Sequence, residues 1–182
     1  FCDKPGGIIL IVLSIIGMIF ISVFSILFST FFTDLRLKKG EFLWNAKPRF
    51  GKTLASYDLA KRLRANKVLI VTNRPAIANS WFDDYEKFIE GYAFISETSS
   101  LNNRATITRE QHILQKPIRP QFTFLSLQDL KGSKYFGGNY DKLAWVAELE
   151  WDLLIIDEAH EGVDTQRTDA AFDIVKRKHT LH

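Results

Sequence analysis

The chain has 182 residues, of which 46% are hydrophobic and 25% are charged, so it can bury one sizeable core but not two full domains. Its single cysteine, Cys2, excludes an intrachain disulfide framework and a thiolate zinc cluster, and indicates a reducing compartment. The formal net charge is +3, but residues 41–182 hold 20 Lys and Arg against 19 Asp and Glu. Global charge therefore gives no support for a nucleic-acid-binding protein.

An uncharged apolar segment, residues 8–32, stands near the start of the chain within residues 1–37. As a helix it would span about 37 Å, enough to cross a hydrocarbon core of about 30 Å. Three positive residues follow it and one, Lys4, precedes it, so the positive-inside rule predicts a cytoplasmic domain anchored to the membrane. Two alternatives stay open: an assembly or boundary artefact fused to a domain that begins near Lys38, and a buried core helix.

The stretch AKPRFGKT, residues 46–53, follows the apolar run EFLWNAK, which predicts a buried strand. It matches the phosphate-loop pattern G-x-x-x-x-G-K-[ST] except at Ala46. In this pattern Gly51 lets the backbone approach a phosphate, Lys52 supplies positive charge to the terminal phosphates, and Thr53 offers a hydroxyl to Mg²⁺. The alternative is an ordinary helix start.

The next two elements follow directly. KTLASYDLAKRLRAN predicts a helix from Lys52 that ends at Asn66, a plausible C-terminal cap. KVLIVTN, residues 67–73, is β-branched and does not alternate, which is typical of a strand covered on both faces of a parallel sheet. This order predicts one α/β domain.

A second apolar run, WDLLIIDEAHEG, predicts a strand that ends in Asp157 and Glu158. In a doubly wound sheet the chemistry collects at the carboxyl ends of the strands. We expect Asp157 to hold Mg²⁺, partly through water, and Glu158 to orient and deprotonate the attacking water. The alternative for Glu158 is a solvated acid at a strand end. The final KRKHTLH predicts another strand rather than a metal site at His179 and His182.

The blocks AKPRFGKT, IVTNRPAIANSW, FLSLQDL and LLIIDEAHEG occur in an order that resembles the first RecA-like domain of superfamily two DEAD/DEAH-box helicases. They resemble in particular the motor of restriction-enzyme subunits of types I and III, in which the arginine-phenylalanine form of the phosphate loop is a known variant. The resemblance covers residues 38–182. It implies a P-loop NTPase fold with a mainly parallel sheet between helices, ATP and Mg²⁺ as cofactors, and an ATP-dependent DNA helicase or translocase. It also implies restriction-modification subunits as partners.

The resemblance carries roles to individual residues. It makes Lys52 and Glu158 the catalytic residues and Thr53 and Asp157 the Mg²⁺ ligands. The implied nucleotide-binding residues are Pro48, Arg49, Phe50, Gly51, Lys52, Thr53 and His160. The residues expected to contact the backbone of duplex DNA are Thr72, Asn73, Arg74, Ser126 and Gln128. The alternatives are a helix cap for Ser126, a surface neighbour of that cap for Gln128, and an ordinary loop histidine for His160.

The 182 residues end at HTLH, before the serine-glycine-threonine block and the second RecA-like domain that carries the arginine finger of such motors. The resemblance therefore implies nucleotide binding with slow hydrolysis by this stretch alone. Two other functions stay open. One is a membrane-tethered nucleotide switch that binds a protein partner and no nucleic acid, and the other is a non-functional remnant.

Overall fold

The computed structural model describes residues 40–43, 51–96, 98, 101, 103–157 and 165–182. Several predictions lie outside these residues: the membrane span at 8–32 and the site residues Pro48, Arg49, Phe50, Glu158 and His160. Among the residues that are described, no helix is both long enough and apolar enough to span a bilayer. The described residues belong to two compact units, one holding residues 51–64 and the other holding the rest.

The first unit contributes helix α1, Lys52–Arg62. Gly51 precedes it with φ 76° and ψ 28°, a left-handed conformation that glycine adopts without steric cost. The helix ends at Arg62, and Arg64 has a positive φ of 52°. A residue in this conformation cannot continue a right-handed helix. The helix start that the phosphate-loop pattern predicts, at Lys52, is therefore correct.

The predicted helix end at Asn66 is wrong. The backbone N–H of Asn66 donates to Asp152 Oδ2 at 2.9 Å, and its carbonyl oxygen accepts from the backbone N–H of Gln121 at 2.8 Å. Both partners lie in the second unit and are far away in sequence. Asn66 is thus the entry to the next strand and not a cap, because its backbone groups are already paired there.

Six strands form one sheet: β1 Gly40–Phe42, β2 Lys67–Thr72, β3 Ala93–Ile95, β4 Gln121–Ser126, β5 Trp151–Asp157 and β6 Arg177–Leu181. Their spatial order is β1-β6-β5-β2-β4-β3, and every neighbouring pair is parallel. The strands predicted from KVLIVTN, WDLLIID and KRKHTLH are present. The strand predicted from EFLWNAK is described only as far as Phe42.

In the described part of the chain, the helices that accompany the sheet are α2 Ala78–Phe88, α3 Arg109–Ile113, α4 Leu127–Gly132, α5 Ala144–Glu148 and α6 Thr165–Ile174. One face of the sheet packs against α4, α5 and α6. The buried cluster there includes Val71, Leu130, Val146, Ile156 and Phe172. The removal of these apolar side chains from water stabilises the fold.

The other face packs against α2 through aromatic rings. Phe82 of α2 meets Phe94 of β3 edge-on, with ring centroids 5.2 Å apart, and Phe94 stacks on Phe124 of β4 at 6.4 Å. Such pairs add to the hydrophobic burial of the rings. Residues 68–72 of β2 are all buried, because helices cover both faces of the strand. The predicted α/β fold with a parallel sheet between helices is confirmed.

Candidate functional site

Three predicted site residues stand side by side at the ends of neighbouring strands. Thr72 of β2 is in register with Ser126 of β4 on one side and with Asp157 of β5 on the other. Because the strands are parallel, all three lie at the carboxyl-terminal edge of the sheet, where ligands bind in open α/β folds. Side chains alternate along a strand, so Ser126 shares the face of Phe124, which α2 covers. The structure thus brings together residues from three separate sequence blocks.

Asp157 is held by a side chain of α2. Its Oδ2 accepts a hydrogen bond of 3.0 Å from the indole Nε1–H of Trp81, which is 2% exposed. Trp81 is not among the site residues predicted from the sequence, so this polar contact was not predicted. A signal was available, because a buried indole N–H needs an acceptor and the DEAH block offers a strand-end acid.

The segment Thr72–Arg74 forms a turn at the end of β2. The Thr72 hydroxyl oxygen accepts from the backbone N–H of Arg74 at 3.1 Å, and Thr72 is 1% exposed. Arg74 itself is exposed and Asn73 is partly exposed. Pro75 begins a short 3-10 helix, Pro75–Ile77, where the fixed φ of proline suits the first turn. Arg74 therefore presents its side chain to solvent from a turn fixed by Thr72.

Ser126 caps α4. Its hydroxyl oxygen accepts from the backbone N–H of Asp129 at 3.0 Å, and its O–H donates to Asp129 Oδ2 at 2.6 Å. Lys142 Nζ lies 3.0 Å from Asp129 Oδ1 and completes this small network. The helix-cap alternative for Ser126 is thus present in the structure. Gln128 lies on the exposed surface of α4, and its side chain can reach a ligand in solvent.

The start of α1 has the features of an anion site. The first helical N–H groups have no intrahelical acceptor and carry partial positive charge. No acidic residue stands in the first turn, no side chain caps it, and Lys52 and Thr53 are its first two residues. A phosphate group fits this end of the helix, because backbone donors, a lysine and the glycine conformation are all present. The roles of Lys52 and Thr53 stay predictions.

Among the described acidic and histidine residues, Asp157 is the main candidate for a metal ligand. Among the ranges given above, no group of three or more His, Cys, Asp or Glu side chains could hold a metal ion. His182 Nε2 lies 2.6 Å from Glu41 Oε1, and burial lowers the pKa of His179. Mg²⁺ in phosphate sites keeps several waters and uses one or two protein ligands. Asp157, a strand-end carboxylate, and Thr53, a helix-start hydroxyl of the other unit, are each oxygen donors of the kind that Mg²⁺ takes.

Comparison with known proteins agrees with this architecture. Residues 36–182 match the family described as "Type III restriction enzyme, res subunit". A Mycoplasma pneumoniae protein, named as the C-terminus of a type II restriction enzyme and methyltransferase, is 31% identical over 146 residues. The match covers 78% of this chain and 19% of that protein.

A solved structure shares the fold. The Sulfolobus solfataricus SWI2/SNF2 ATPase core, determined in complex with dsDNA, superposes with a TM-score of 0.57 at 16% identity. The match covers 85% of this chain and 29% of that one. Likeness at this identity establishes the RecA-like fold alone. The family match, in contrast, spans most of the sequence and confirms the resemblance to restriction-enzyme subunits. The chain belongs to the family of type III restriction enzyme res subunits.

Proposed function

We propose that residues 38–182 form the ATP-binding part of an ATP-dependent DNA translocase or helicase of the restriction-enzyme type. The observation that carries the proposal is the row of Thr72, Ser126 and Asp157 at one edge of the sheet. At this edge Asp157, an acid suited to a metal ion, is next to the turn at the end of β2, where Arg74 is exposed. Family membership supports the same function.

The nucleotide roles follow the chemistry of each group. Lys52 binds the terminal phosphates of ATP, and Thr53 and Asp157 hold Mg²⁺, partly through water. Mg²⁺, when bound, supplies positive charge that offsets the negative charge of the phosphates. Glu158 accepts a proton from the attacking water. The remaining nucleotide contacts fall to Gly51, to the loop residues Pro48, Arg49 and Phe50, and to His160.

The DNA roles rest on exposure. Arg74 and Gln128 are exposed and carry donors that suit phosphate oxygens, while Thr72 and Ser126 are nearly buried and organise the two turns. Asn73, which lies between Thr72 and Arg74 in sequence, is partly exposed. The Sulfolobus structure of the same fold is described as a complex with dsDNA, which supports duplex DNA as the partner. Arg74 and Gln128 are therefore the leading candidates for contacts with the DNA backbone.

Other partners and the location follow from the same proposal. A second RecA-like domain would supply the arginine finger, and restriction-modification subunits would complete the assembly. The domain would act in the cytoplasm. A membrane anchor at residues 8–32 stays a prediction that this function does not need.

Two binding measurements on the full chain test the proposal. Isothermal titration with Mg²⁺-ATP and fluorescence anisotropy with a labelled DNA duplex should both show binding, and the DNA affinity should fall as salt is raised. Mg²⁺-ATP binding without any DNA binding would contradict the proposal and favour a nucleotide switch. Failure to bind either ligand would favour a non-functional remnant.

A further inference from the structure

We infer that Trp81 is a positioning residue for Asp157, and that its indole N–H orients the carboxylate toward the Mg²⁺ of the bound nucleotide. The inference rests on the proposed function, since it assigns a partner to the acid of that site. It starts from the 3.0 Å hydrogen bond between two residues 76 positions apart in sequence.

The type of donor matters. An indole N–H donates one hydrogen bond, accepts none and carries no charge. It can therefore fix the orientation of the Asp157 carboxylate without cancelling the negative charge that a cation needs. A lysine or arginine at the same place would compete with the metal for the acid. Carboxylates that bind metals are commonly oriented by such hydrogen bonds from outside the coordination shell.

The position of α2 is fixed by contacts of residues that follow Trp81 in the helix. Phe82, the next residue of α2, meets Phe94 in the sheet, and Arg104 lies over the Phe82 ring at 5.1 Å. One turn further, the Tyr85 hydroxyl donates to the carbonyl oxygen of Tyr92 at 2.7 Å. These contacts fix α2 against its face of the sheet without help from Asp157. The indole is thus a preformed donor, which holds its ligand at little entropic cost.

The neighbouring strand ends behave differently. Thr72 accepts from a backbone group two residues away, and Ser126 exchanges hydrogen bonds with a residue three positions away. Such local contacts shape turns and helix caps. Of these three described strand ends, Asp157 is the one that bonds a side chain from a helix distant in sequence.

Trp151 shows that a buried indole N–H does not need a carboxylate as its acceptor. Trp151, at the start of β5, is fully buried, and its indole N–H donates to the backbone carbonyl oxygen of Val146 at 3.0 Å. A carbonyl oxygen therefore satisfies a buried indole at the same distance. Trp151 is a matched control. Its indole makes a hydrogen bond of equal length, but at the amino-terminal end of β5, whereas Asp157 lies at the carboxyl-terminal end.

The test compares Trp81→Phe with Trp151→Phe in the full chain. Each variant keeps an aromatic ring and removes one indole hydrogen bond. The probe is a non-hydrolysable ATP analogue, titrated by calorimetry at Mg²⁺ concentrations from zero, with EDTA, to excess. Trp81→Phe should raise the Mg²⁺ concentration for half-maximal tightening about 10-fold or more, the effect typical of losing a partner of a metal ligand. Analogue affinity in EDTA should not change, and Trp151→Phe should match the parent.

A second measurement needs no variant. In ¹⁵N spectra of the parent chain, Mg²⁺ added to the analogue-bound protein should shift the indole N–H signal of Trp81 and leave that of Trp151 in place. Equal Mg²⁺ dependence in the parent and Trp81→Phe, or an unmoved Trp81 signal, would overturn the inference and leave the proposed function standing. A parent chain that binds no Mg²⁺-nucleotide would overturn both.

Discussion

Thr72 and Asp157 are register partners at the ends of β2 and β5, in adjacent parallel strands. The relationship joins two blocks that the sequence presents 85 residues apart, one expected to face DNA and the other expected to hold Mg²⁺. Because the two strands are adjacent and parallel, Thr72 and Asp157 lie at the same edge of the sheet. In the proposed function, this adjacency puts the acid expected to hold Mg²⁺ next to the turn that carries Arg74.

The exposed guanidinium of Arg74 should contribute to DNA affinity through the phosphates. We expect Arg74→Ala to weaken binding of all duplex sequences alike and to reduce the slope of log affinity against log salt by about 1. Fluorescence anisotropy over a series of salt concentrations measures both quantities. Arg119→Ala is the control. Arg119 is an exposed arginine just before β4, at the amino-terminal ends of the strands and away from Arg74. Equal losses in the two variants would show that Arg74 has no special place.

Ser126 and Gln128 separate helix capping from DNA contact. Ser126→Ala removes the N-cap of α4 and should lower the free energy of unfolding by about 1 kcal/mol. Gln128→Ala, two residues later on the exposed surface, should leave stability unchanged and weaken duplex binding. Denaturant titration and anisotropy measure the two effects. A stable Ser126→Ala variant would contradict the capping role.

Asp152 should make stability depend on pH on the acid side. Burial alone would raise the pKa of Asp152, but hydrogen bonds from Lys178 Nζ and from the backbone N–H groups of Lys67 and Asn66 outweigh it and hold the pKa below its usual value. A carboxyl whose pKa is lower in the folded chain stabilises the fold above its unfolded pKa, about 3.9. That contribution is lost as the pH falls through the folded value.

Asp152→Asn should therefore unfold more easily than the parent at pH 7, and the difference should shrink below about pH 4. Urea titrations at neutral and acid pH measure it. Asp173→Asn, on the exposed surface of α6, should show no such trend. A difference between Asp152→Asn and parent that stays constant with pH would contradict the interpretation.

Glu158 lies outside the described residues, and its role as the base is a prediction. Glu158→Gln keeps the shape of the side chain and loses the base, so nucleotide affinity should persist while hydrolysis falls about 100-fold or more. Single-turnover hydrolysis and calorimetric titration separate the two effects. Glu148→Gln, at the end of α5, is the control. Parallel loss of affinity and turnover would assign Glu158 a binding role instead.

The parts of the fold that could be predicted from sequence are those set by local pattern. β2 and β5 were predictable because buried parallel strands are continuous apolar runs, and the start of α1 was predictable from the phosphate-loop pattern. The end of α1 was not predictable, because the backbone N–H of Asn66 donates to Asp152, 86 residues away. The contact of Trp81 with Asp157 was not predicted, because the need of a buried indole N–H for an acceptor does not say which acceptor the fold supplies.

The most direct test of the account is whether the phosphate loop binds Mg²⁺-ATP. Calorimetric titration of the full chain should show binding that Lys52→Ala abolishes, since the substitution deletes the lysine of the loop. Lys61→Ala, at an exposed position in the last turn of the same helix, should bind as the parent does. Unchanged affinity in Lys52→Ala would contradict the assignment of this loop as the nucleotide site.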